Sequence, residues 1–341
     1  MNNRELNSVS IVGVGKGLPE TVITNEDLSK IVDTNEEWIV SRTGIKERRV
    51  VSGNETSVSL AVTAAKDALG FAGINAEDVD LIITATSLPD NLYPSTACEV
   101  QSAIGAKNAA AFDIVAACSG LVYGMNIARN FIMTGTYKTV LLIGVDVHSR
   151  YIDWTDRGTC ILFGDGAGAL VLTKSEDGVN DLLSVKIQAD GSKANELKIP
   201  LNGENCPLVT PRDQRPPYVA MNGKEIYKFA VTAVPASIRS ALELAGMTID
   251  DLDYFIPHQA NIRIVSAISE RLNLKEEQAI VNLDKYGNTS TASVAIALCE
   301  AIENEKINIP SVMALCGFGA GLTWGTAIIR WRAQDQRKKQ G

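Results

Sequence analysis

Short apolar stretches alternate along the chain with longer stretches in which apolar residues recur every three or four positions. The apolar stretches include LIITATS from Leu81, VLLIGVDV from Val140 and YFIPHQ from Tyr254. Continuous runs of Val, Ile and Leu are typical of strands in sheets that are covered on both faces. Their alternation with helical patterns indicates α/β layers. The pattern therefore predicts an α/β protein with buried sheets.

The pattern occurs twice. ALGFAGINAEDVDLII from Ala68 matches ALELAGMTIDDLDYFI from Ala241 at an offset of 173 residues, and the same offset brings Val140 opposite Met313. In each copy a helical pattern ends near a glycine, an acidic D-x-D turn follows, and a short apolar strand comes next. Because this period is far longer than that of a solenoid repeat, it indicates two similar halves.

The repeat predicts an N-terminal half over residues 1–179 and a C-terminal half over residues 180–341. A pseudo-twofold pair of α/β halves leaves a cleft between them, and ligands commonly bind in such clefts. The Gly-, Pro- and Asn-rich stretch 180–218 is interpreted as the connection between the halves, with one or two strands inside it.

Composition excludes several classes of protein. The chain has 341 residues, of which 45% are hydrophobic, and a net charge of −8, which argues against a general nucleic-acid binder. No apolar run approaches the length of a membrane span, and the N-terminal segment lacks the layout of a signal peptide. The six cysteines form no C-x-x-C pair and no zinc-like spacing. We expect a reduced, cytoplasmic protein without nucleic-acid or membrane partners.

The stretch FDIVAACSGLVYGM places Cys118 between small residues. Residues 111–117 are predicted to form a buried strand. A helical face follows, made of Leu121, Val122, Met125, Ala128 and Ile132. Cys118 would then lie at a strand-to-helix turn, where the helix dipole and free N–H groups favour the nucleophilic thiolate. The alternative is a small buried hydrophobic residue without a chemical role.

Three further elements carry candidate chemistry. His258 follows a strand end, where α/β sheets commonly bind ligands, and it could transfer a proton or polarise a carbonyl; alternatively it caps the next helix. Asn288 in KYGNTSTASVAIAL is either an ordinary helix cap or a neutral donor to an oxyanion. The glycines of GFGAGLTWG either admit a ligand to the backbone or form a tight turn. The second histidine, His148, is given no role beyond lining.

Several motifs, in this order, resemble the thiolase-fold condensing enzymes, and most closely the beta-ketoacyl-acyl-carrier-protein synthase III family. They are AACSG at Cys118, IPHQANIR at His258, YGNTS at Asn288 and the GFGAGLTWG turn, with NEEWIVSRTGIKERR, TDRGTCILFGDGAGA and MNGKEIYKFAV elsewhere. The resemblance covers nearly the whole chain. It implies a five-layered αβαβα fold made of two duplicated halves, the first carrying Cys118 and the second His258 and Asn288.

The resemblance also implies a reaction. Cys118 would attack an acyl-CoA thioester, and malonyl-acyl carrier protein would then lose CO2 while His258 and Asn288 hold its enolate oxygen. The product would be a 3-ketoacyl-acyl carrier protein, which initiates fatty acid biosynthesis. The backbone N–H groups of Cys118 and Ala320 would form the oxyanion hole, although family members often have glycine where Ala320 stands. No metal or redox cofactor is implied.

Substrate-binding roles carry over by position. Trp38 and Arg157 would sandwich the CoA adenine, Arg42 would contact a CoA phosphate, and Asn261 would lie near the pantetheine arm. Lys228 and Arg263 would dock the acidic acyl carrier protein.

The acyl pocket would involve Tyr93, Leu121 and Phe318. Its depth would also depend on Phe163, and Tyr93 would reach it across a homodimer. The identity of the primer is left open.

Four alternatives are weighed against this hypothesis. A thiolase would need a second catalytic cysteine, for which Cys316 is the candidate, and a histidine in place of Asn288. Hydroxymethylglutaryl-CoA synthase would need a catalytic glutamate, for which Glu99 is the candidate. A secondary-metabolism relative that primes a polyketide, makes a quinolone or moves an acyl group onto another nucleophile would carry the same three residues. A non-catalytic partner subunit would usually lack the cysteine.

Overall fold

Strands and helices alternate along the chain, as the hydrophobic pattern predicts. The computed structural model describes residues 6–201, 206–208, 216–333 and 335. Within these residues the strands are β1 Val9–Gly17, β2 Thr21–Thr24, β3 Glu47–Val50, β4 Leu81–Ala85, β5 Ala110–Ile114, β6 Thr139–Asp146, β7 Gly166–Lys174, β8 Leu182–Ala189, β9 Leu197–Lys198, β10 Ala220–Met221, β11 Tyr254–Pro257, β12 Ser311–Gly319 and β13 Thr323–Trp331. The helices are α1 Asn25–Ser29, α2 Glu36–Thr43, α3 Ser57–Ala72, α4 Thr96–Ile104, α5 Gly120–Met133, α6 Gly223–Leu244, α7 Ile262–Leu272, α8 Leu283–Tyr286 and α9 Ser293–Glu303.

Two sheets share one topology. The first has the strand order β1-β7-β6-β4-β5, and the second has the order β8-β13-β12-β11. In the first sheet β4 runs parallel to β5 and β6, whereas β7 is antiparallel to β6 and β1. The second sheet repeats these directions, and a single parallel bridge from Phe255 to Ala279 stands where the first sheet has β5. The duplication predicted from the sequence is therefore present in the fold.

The sequence offset is preserved in the structure. Short 3-10 turns at Ala76–Asp78 and Ile249–Asp251 precede β4 and β11, and both pairs of elements start 173 residues apart. The acidic D-x-D segments lie in and just after these turns. The predicted order of helix, acidic turn and short strand is confirmed in both halves.

Helices and sheets stack in five layers. The helices α5 and α9 lie between the two sheets and pack on strands of both. The helix α3 covers the outer face of the first sheet, and α6 covers the outer face of the second. One cluster of buried apolar residues fills the space between the two sheets around α5 and α9, and a separate cluster fills the outer face of each sheet. This arrangement is the predicted αβαβα order.

The central layer explains the apolar face of α5. Leu121, Val122, Met125, Ala128 and Ile132 are all buried in the cluster between the sheets. The helix ends at Met133, and Gly135 follows with a φ of +73°, a conformation that glycine adopts without strain. The predicted helical face and its end near Gly135 are confirmed.

The strand before Cys118 differs from the prediction. It spans Ala110–Ile114 and is only partly covered, and Val115, which follows it, is 78% exposed. The expectation of a buried strand over 111–117 is wrong because β5 is the edge strand of the first sheet and has a neighbour on one side only. The chain leaves the sheet at Val115 and then turns inward to Cys118.

The stretch 180–218 is more than a connection. It contains β8, which forms one edge of the second sheet, and β9, which pairs with β10. Residues 202–205 and 209–215 of this stretch lie outside the described residues. Among the helices that the structure does describe, none is long and apolar enough to cross a membrane.

Candidate active site

Cys118 lies in a strained turn between β5 and α5. A 3-10 turn at Ala117–Ser119 leads directly into α5, and Ala117 has a φ of +44°, which is unusual for a residue with a side chain. A Cβ on Gly120 would lie 2.9 Å from the Cβ of Ala85 and from the Thr291 Oγ1, so only glycine fits at the start of the helix. Such strain persists when the surrounding packing enforces it, and it concentrates at functional sites.

The glycine turn after β12 closes on the cysteine. A Cβ on Gly319 would lie 2.9 Å from the Cys118 Cβ and 3.0 Å from its Sγ. A Cβ on Gly317 would lie 2.8 Å from the Ser119 Cα. Because neither position leaves room for a side chain, the backbone that leads into Ala320 passes directly against the sulfur. The glycines therefore allow this turn to pack closely against Cys118 and Ser119, and the approach of a ligand to their backbone stays a prediction.

His258 follows β11 and is almost completely buried. Its Nδ1 lies 2.8 Å from the Oγ of Ser293, and its ring meets Phe318 edge-on with the centroids 5.1 Å apart. Burial lowers the pKa of His258 to about 3, and His148 contributes in the same direction. The imidazole is therefore neutral at neutral pH.

Asn288 is held by backbone and side-chain contacts. Its N–H donates to the Leu162 carbonyl at 2.8 Å, and its carbonyl accepts from the Gly164 N–H at 3.0 Å. Its Oδ1 accepts from the Ser290 N–H at 2.9 Å. The Oδ1 thus caps a turn, as the simpler interpretation predicts, whereas the Nδ2 has no hydrogen-bond partner among the described side chains and backbone. Asn288 can cap the turn and still donate to a ligand.

Burial governs the state of the cysteine. Cys118 is 7% exposed, and burial raises the pKa of its thiol to about 12. The Ser290 hydroxyl donates to the Sγ at 3.2 Å and acts in the opposite direction, by stabilising the thiolate. Desolvation outweighs this hydrogen bond in setting the pKa of Cys118. In this structure Cys118 is therefore a thiol at neutral pH, not the thiolate that the sequence reasoning favoured.

Two serines join the three predicted residues, and the sequence reasoning missed both. Ser290 contacts the Cys118 sulfur and has a φ of +52°. Ser293 lies 2.8 Å from the His258 Nδ1 and also 2.8 Å from the Ser290 carbonyl. Both belong to the run of hydroxyl residues after Asn288, which was interpreted as helix caps. The sequence indicates a role for these two serines only through their closeness to Asn288 in the chain.

The predicted CoA contacts lie together on the surface. Trp38 is on α2, where the Asn35 side chain caps the helix by accepting from the Trp38 N–H. The guanidinium of Arg42 lies 4.7 Å from the centre of the Trp38 ring, and that of Arg157 lies 4.8 Å from it. For an adenine to bind between Trp38 and Arg157, the Arg157 guanidinium would have to move away from the Trp38 ring. The structure brings the three residues together, and their role towards CoA stays a prediction.

Asn261 connects α7 to α2. It is the N-cap of α7, where its Oδ1 accepts from the Arg263 N–H at 2.9 Å, and its Nδ2 donates to the Arg42 carbonyl at 3.0 Å. Arg263 donates to the Ser41 carbonyl at 2.8 Å. Asn261 thus has a structural role, and its predicted place beside the pantetheine arm is untested.

The two predicted docking cations lie on neighbouring helices. Lys228 is on α6 and Arg263 is on α7, which packs against α6. Both are exposed, and Lys228 pairs with Glu225 at 2.6 Å. Their role towards acyl carrier protein also stays a prediction.

The predicted acyl-pocket residues lie in very different surroundings. Leu121 and Phe318 are each 1% exposed, whereas Tyr93 is 87% exposed. Exposure of Tyr93 is what a residue that reaches into another subunit would show in a single chain. Phe163 is buried and stacks flat on His148, with the centroids 4.7 Å apart. The roles of these residues towards a primer stay predictions.

Cys316, the candidate second cysteine of a thiolase, is enclosed within the second sheet. It is fully buried in β12, and its Sγ donates to the Gly325 carbonyl at 3.2 Å. Burial raises the pKa of its thiol to about 12. These contacts agree with a packing role.

A metal could be held at only one group of side chains among the residues that the structure describes. The group is Asp67, Cys299 and Glu303, whose donor atoms lie within 4.8 Å of one another. The Lys16 ammonium already pairs with Glu303, and the Lys16 backbone N–H donates to Asp67 at 3.0 Å. A lysine therefore supplies positive charge beside these side chains.

The five-layered fold is that of the thiolase-fold condensing enzymes, and within it Ser290 and Ser293 link Cys118, His258 and Asn288. Comparison with known proteins then specifies the family. The model of 3-oxoacyl-[acyl-carrier-protein] synthase III matches residues 112–191, and the model of its C-terminal region matches residues 242–331. The chain belongs to the beta-ketoacyl-[acyl-carrier-protein] synthase III family.

Individual relatives cover nearly the whole chain. A beta-ketoacyl-[acyl-carrier-protein] synthase III of Bacillus anthracis is 47% identical over 324 residues, which are 95% of this chain and 99% of that protein. The crystal structure of the Aquifex aeolicus synthase III is 46% identical with a TM-score of 0.87, and the match covers 95% of this chain and 100% of that one. The priming beta-ketosynthase of the R1128 polyketide biosynthetic pathway is 31% identical with a TM-score of 0.90, and the match covers 98% of this chain and 99% of that one.

Proposed function

We propose that this protein condenses an acyl-CoA primer with malonyl-acyl carrier protein and so starts fatty acid biosynthesis. The reaction would be an acyl transfer to Cys118 followed by decarboxylative condensation, with CoA, CO2 and a 3-ketoacyl-acyl carrier protein as products. The observation that carries the proposal is that Ser290 contacts both the Cys118 sulfur and the Asn288 Oδ1, while Ser293 connects Ser290 to the His258 Nδ1, in a chain of this family.

In the first step the Cys118 sulfur attacks the carbonyl carbon of the acyl-CoA thioester. The carbonyl oxygen becomes an oxyanion, which accepts hydrogen bonds from the backbone N–H groups of Cys118 and Ala320. The carbon–sulfur bond to CoA then breaks, and the CoA thiolate leaves and takes up the proton that the Cys118 thiol has lost. The Ser290 hydroxyl, 3.2 Å from the Sγ, stabilises the sulfur while it carries negative charge.

In the second step the malonyl group loses CO2, and the electrons of the broken C–C bond form an enolate. His258 and Asn288 donate to the enolate oxygen, so the His258 proton must be on Nε2. In that tautomer Nδ1 accepts from the Ser293 hydroxyl 2.8 Å away, so the Ser293 proton must turn from the Ser290 carbonyl, to which it otherwise donates at 2.8 Å, towards the imidazole. The enolate carbon attacks the acyl-cysteine carbonyl, and the Cys118 thiolate is released.

The substrates would approach over the surface formed by α2, α6 and α7. Trp38, Arg42, Arg157 and Asn261 would bind CoA, and Lys228 with Arg263 would dock acyl carrier protein. The chemistry needs no metal or redox cofactor, because thioester exchange and decarboxylation require only a nucleophile and hydrogen-bond donors. The cytoplasm supplies both substrates and would be the site of action.

Two structural assignments belong to the same proposal. We place the division between the halves at residues 179 and 180, just before β8, the first strand of the second sheet. A homodimer would bring the exposed Tyr93 of one subunit to the acyl pocket of the other.

A second candidate function uses the same residues. The similarity to a polyketide priming beta-ketosynthase favours a related reaction in which the ketoacyl product enters secondary metabolism. Active-site geometry does not separate the two, because both begin with an acylated cysteine.

The test is intact-protein mass after incubation with a panel of acyl-CoAs, followed by malonyl-acyl carrier protein. We expect a mass gain equal to one acyl group, absent in Cys118→Ala and discharged with release of CO2 when malonyl-acyl carrier protein is added. Acylation without discharge would contradict the condensation and favour acyl transfer to another nucleophile. Absence of acylation by every CoA ester would contradict the proposed substrate.

A further inference from the structure

Two hydroxyl groups join the turn that carries Cys118 to the loop 320–322 between β12 and β13. Ser119, the residue after the cysteine, is completely buried, and its Oγ lies 2.8 Å from the Oγ1 of Thr323 at the start of β13. The Thr323 Oγ1 also lies 2.8 Å from the Ala320 carbonyl oxygen. The two hydroxyls therefore form a direct connection between the two segments that pack together at the cysteine, across 204 positions of the chain.

The direction of these hydrogen bonds follows from the number of protons. Each hydroxyl has one proton, and two oxygens 2.8 Å apart need a proton between them. Both hydroxyls also lie near the Ala116 carbonyl oxygen, at 2.7 Å from Ser119 and 3.2 Å from Thr323, but that oxygen already accepts from the Ser119 N–H. Donation from Ser119 to Thr323 and from Thr323 to the Ala320 carbonyl therefore gives every oxygen a donor, whereas the reverse direction removes the Thr323 proton from Ala320.

The bond from Thr323 fixes a peptide group that is otherwise held only at its two sides. Gly319 comes before Ala320, pairs with Thr323 in the register of β12 and β13, and lies directly against the cysteine. Leu322 exchanges backbone hydrogen bonds with Asp190 at 2.8 and 2.9 Å. Because peptide groups are planar, the N–H and the carbonyl of Ala320 belong to two rigid units that meet at its Cα. Holding the carbonyl therefore limits how far the N–H can rotate.

The corresponding turn of the second half lacks this connection. The residue 173 positions after Ser119 is Ala292, which ends the 3-10 turn Ser290–Ala292 and has no hydroxyl. The strands β6 and β7 correspond to β12 and β13, but residues 147–165 separate them in place of a loop of three residues. The turn therefore forms without the hydroxyl pair, which indicates that the pair serves the chemistry at Cys118 and not the shape of the turn.

We propose that Ser119 and Thr323 are positioning residues that hold the Ala320 N–H in the orientation that binds the oxyanion. The inference rests on the proposed function, in which the N–H groups of Cys118 and Ala320 stabilise the oxyanion of each tetrahedral state. Thr323 acts through the Ala320 carbonyl, and Ser119 acts through Thr323. Donors that are fixed before the reaction stabilise a developing charge without a cost of reorientation.

The experiment compares two reactions of the same sulfur. Acylation by acyl-CoA passes through an oxyanion, whereas alkylation by iodoacetamide displaces iodide from a CH2 carbon and forms none. Thr323→Val removes the hydroxyl and keeps the branched shape of the side chain. We expect it to lower the limiting single-turnover rate of acylation by roughly tenfold. The half-saturating concentration of acyl-CoA and the alkylation rate of Cys118 should stay near the wild-type values.

Three further variants sharpen the comparison. Thr323→Ser retains the hydroxyl and should acylate at close to the wild-type rate. Ser119→Ala should slow acylation by roughly two- to fivefold, and adding it to Thr323→Val should cause no further loss, because Ser119 acts only through Thr323. Thr326→Val is the matched control on β13, since it removes a buried hydroxyl 2.9 Å from the Ser237 Oγ. It should lower the stability of the fold without changing the ratio of acylation to alkylation.

The outcomes separate this inference from the proposed function. Acylation of the wild type with an unchanged ratio of acylation to alkylation in Thr323→Val would overturn the inference and leave the function intact. A parallel fall in both rates would overturn it as well, because it would show that Cys118 itself had moved. If Thr323→Val does not fold, the same ratio in Ser119→Ala decides. Failure of every acyl-CoA to modify a wild-type Cys118 that iodoacetamide still alkylates would overturn both proposals.

Discussion

The same strained turn is built twice in this protein, once in each half. The turn Ala117–Ser119 before α5 and the turn Ser290–Ala292 before α9 start 173 residues apart, and their first residues have φ values of +44° and +52°. The first turn presents a cysteine at its second position, and the second turn presents Thr291. Only Cys118 is a nucleophile in the proposed reaction. The backbone conformation is therefore common to both turns, and the difference in chemistry comes from their side chains.

Each turn packs against a glycine in the opposite half. A Cβ on Gly317 would lie 3.0 Å from the Cys118 carbonyl oxygen, and a Cβ on Gly144 would lie 2.8 Å from the Thr291 carbonyl oxygen. The two glycines are again 173 residues apart. The pseudo-twofold axis therefore relates the packing of the turns as well as their shape.

The side chains break this symmetry. Ser290, at the first position of the second turn, donates to Cys118, whereas its counterpart Ala117 has no hydroxyl to offer. Asn288 precedes the second turn, and the corresponding residue before the first is Val115, which is 78% exposed. The second half thus supplies polar groups to the nucleophile of the first, and nothing equivalent is returned to Thr291. Both halves therefore carry the turn, but the side chains around it differ. As a result there is one active site, with its cysteine from the first half and its polar groups from the second.

The largest expected effect comes from moving the nucleophile between the turns. Cys118→Ala should abolish acylation, because it removes the sulfur on which the thioester forms. Adding Thr291→Cys to this variant should not restore acylation, because Thr291 is 1% exposed and its hydroxyl has no hydrogen-bond partner among the described residues. The measurement is the rate of mass gain with acyl-CoA. Rescue by Thr291→Cys would mean that the turn alone, without its polar partners, is sufficient.

A smaller effect is expected from filling the two glycine positions. Gly317→Ala and Gly144→Ala each place a methyl group against the backbone of the opposite turn, and each should destabilise the fold by about 1–3 kcal/mol. Gly317→Ala should also slow acylation, because the added methyl group displaces Cys118. Gly144→Ala should leave acylation largely unchanged, because it displaces Thr291 instead. Denaturant unfolding and acylation rates, measured on both variants, check the difference. Equal loss of acylation activity in Gly317→Ala and Gly144→Ala would contradict the assignment of the chemistry to the Ala117–Ser119 turn alone.

The Ser290 hydroxyl should have a moderate effect on the first chemical step. Ser290→Ala removes the hydrogen bond to the sulfur, so the pKa of Cys118 rises further and acylation should slow by about tenfold. Ser293→Ala is the matched control in the same segment. It should leave acylation near the wild-type rate and slow the discharge by malonyl-acyl carrier protein, because it acts on His258. Single-turnover rates for the two steps distinguish them, and a uniform loss in both variants would argue against separate roles.

The pH dependence of alkylation of the free enzyme should report the protonation state of Cys118 without any substitution. Because burial raises the pKa of Cys118 to about 12, the thiolate fraction grows with pH across the neutral and alkaline range. Alkylation by iodoacetamide should therefore rise by roughly tenfold per pH unit without a plateau near pH 8 or 9. The pKa of His258 is lowered to about 3, so no inflection near pH 6.5 should arise from it. A plateau at neutral pH would show that the thiolate is already formed.

Much of the fold was predictable because it depends on local pattern. The offset between Ala68 and Ala241 predicted a duplication that the two sheet orders confirm. The apolar face of α5 was read directly from residue spacing. The strand before Cys118 was misjudged, because whether a strand lies at the centre or the edge of a sheet depends on neighbours far away in the chain.

The sequence by itself determined the alternation of strands and helices, the two halves and the residues able to carry out acyl transfer. Only the tertiary structure decided how these residues are tuned. The contact of Ser290 with Cys118 joins residues 172 positions apart, and the burial that holds Cys118 as a thiol and His258 as a neutral base arises from packing of both halves. The contact between the hydroxyls of Ser119 and Thr323 likewise joins residues 204 positions apart. Residue identity sets what a group can do, whereas desolvation and distance, which set its pKa and partners, exist only in the assembled fold.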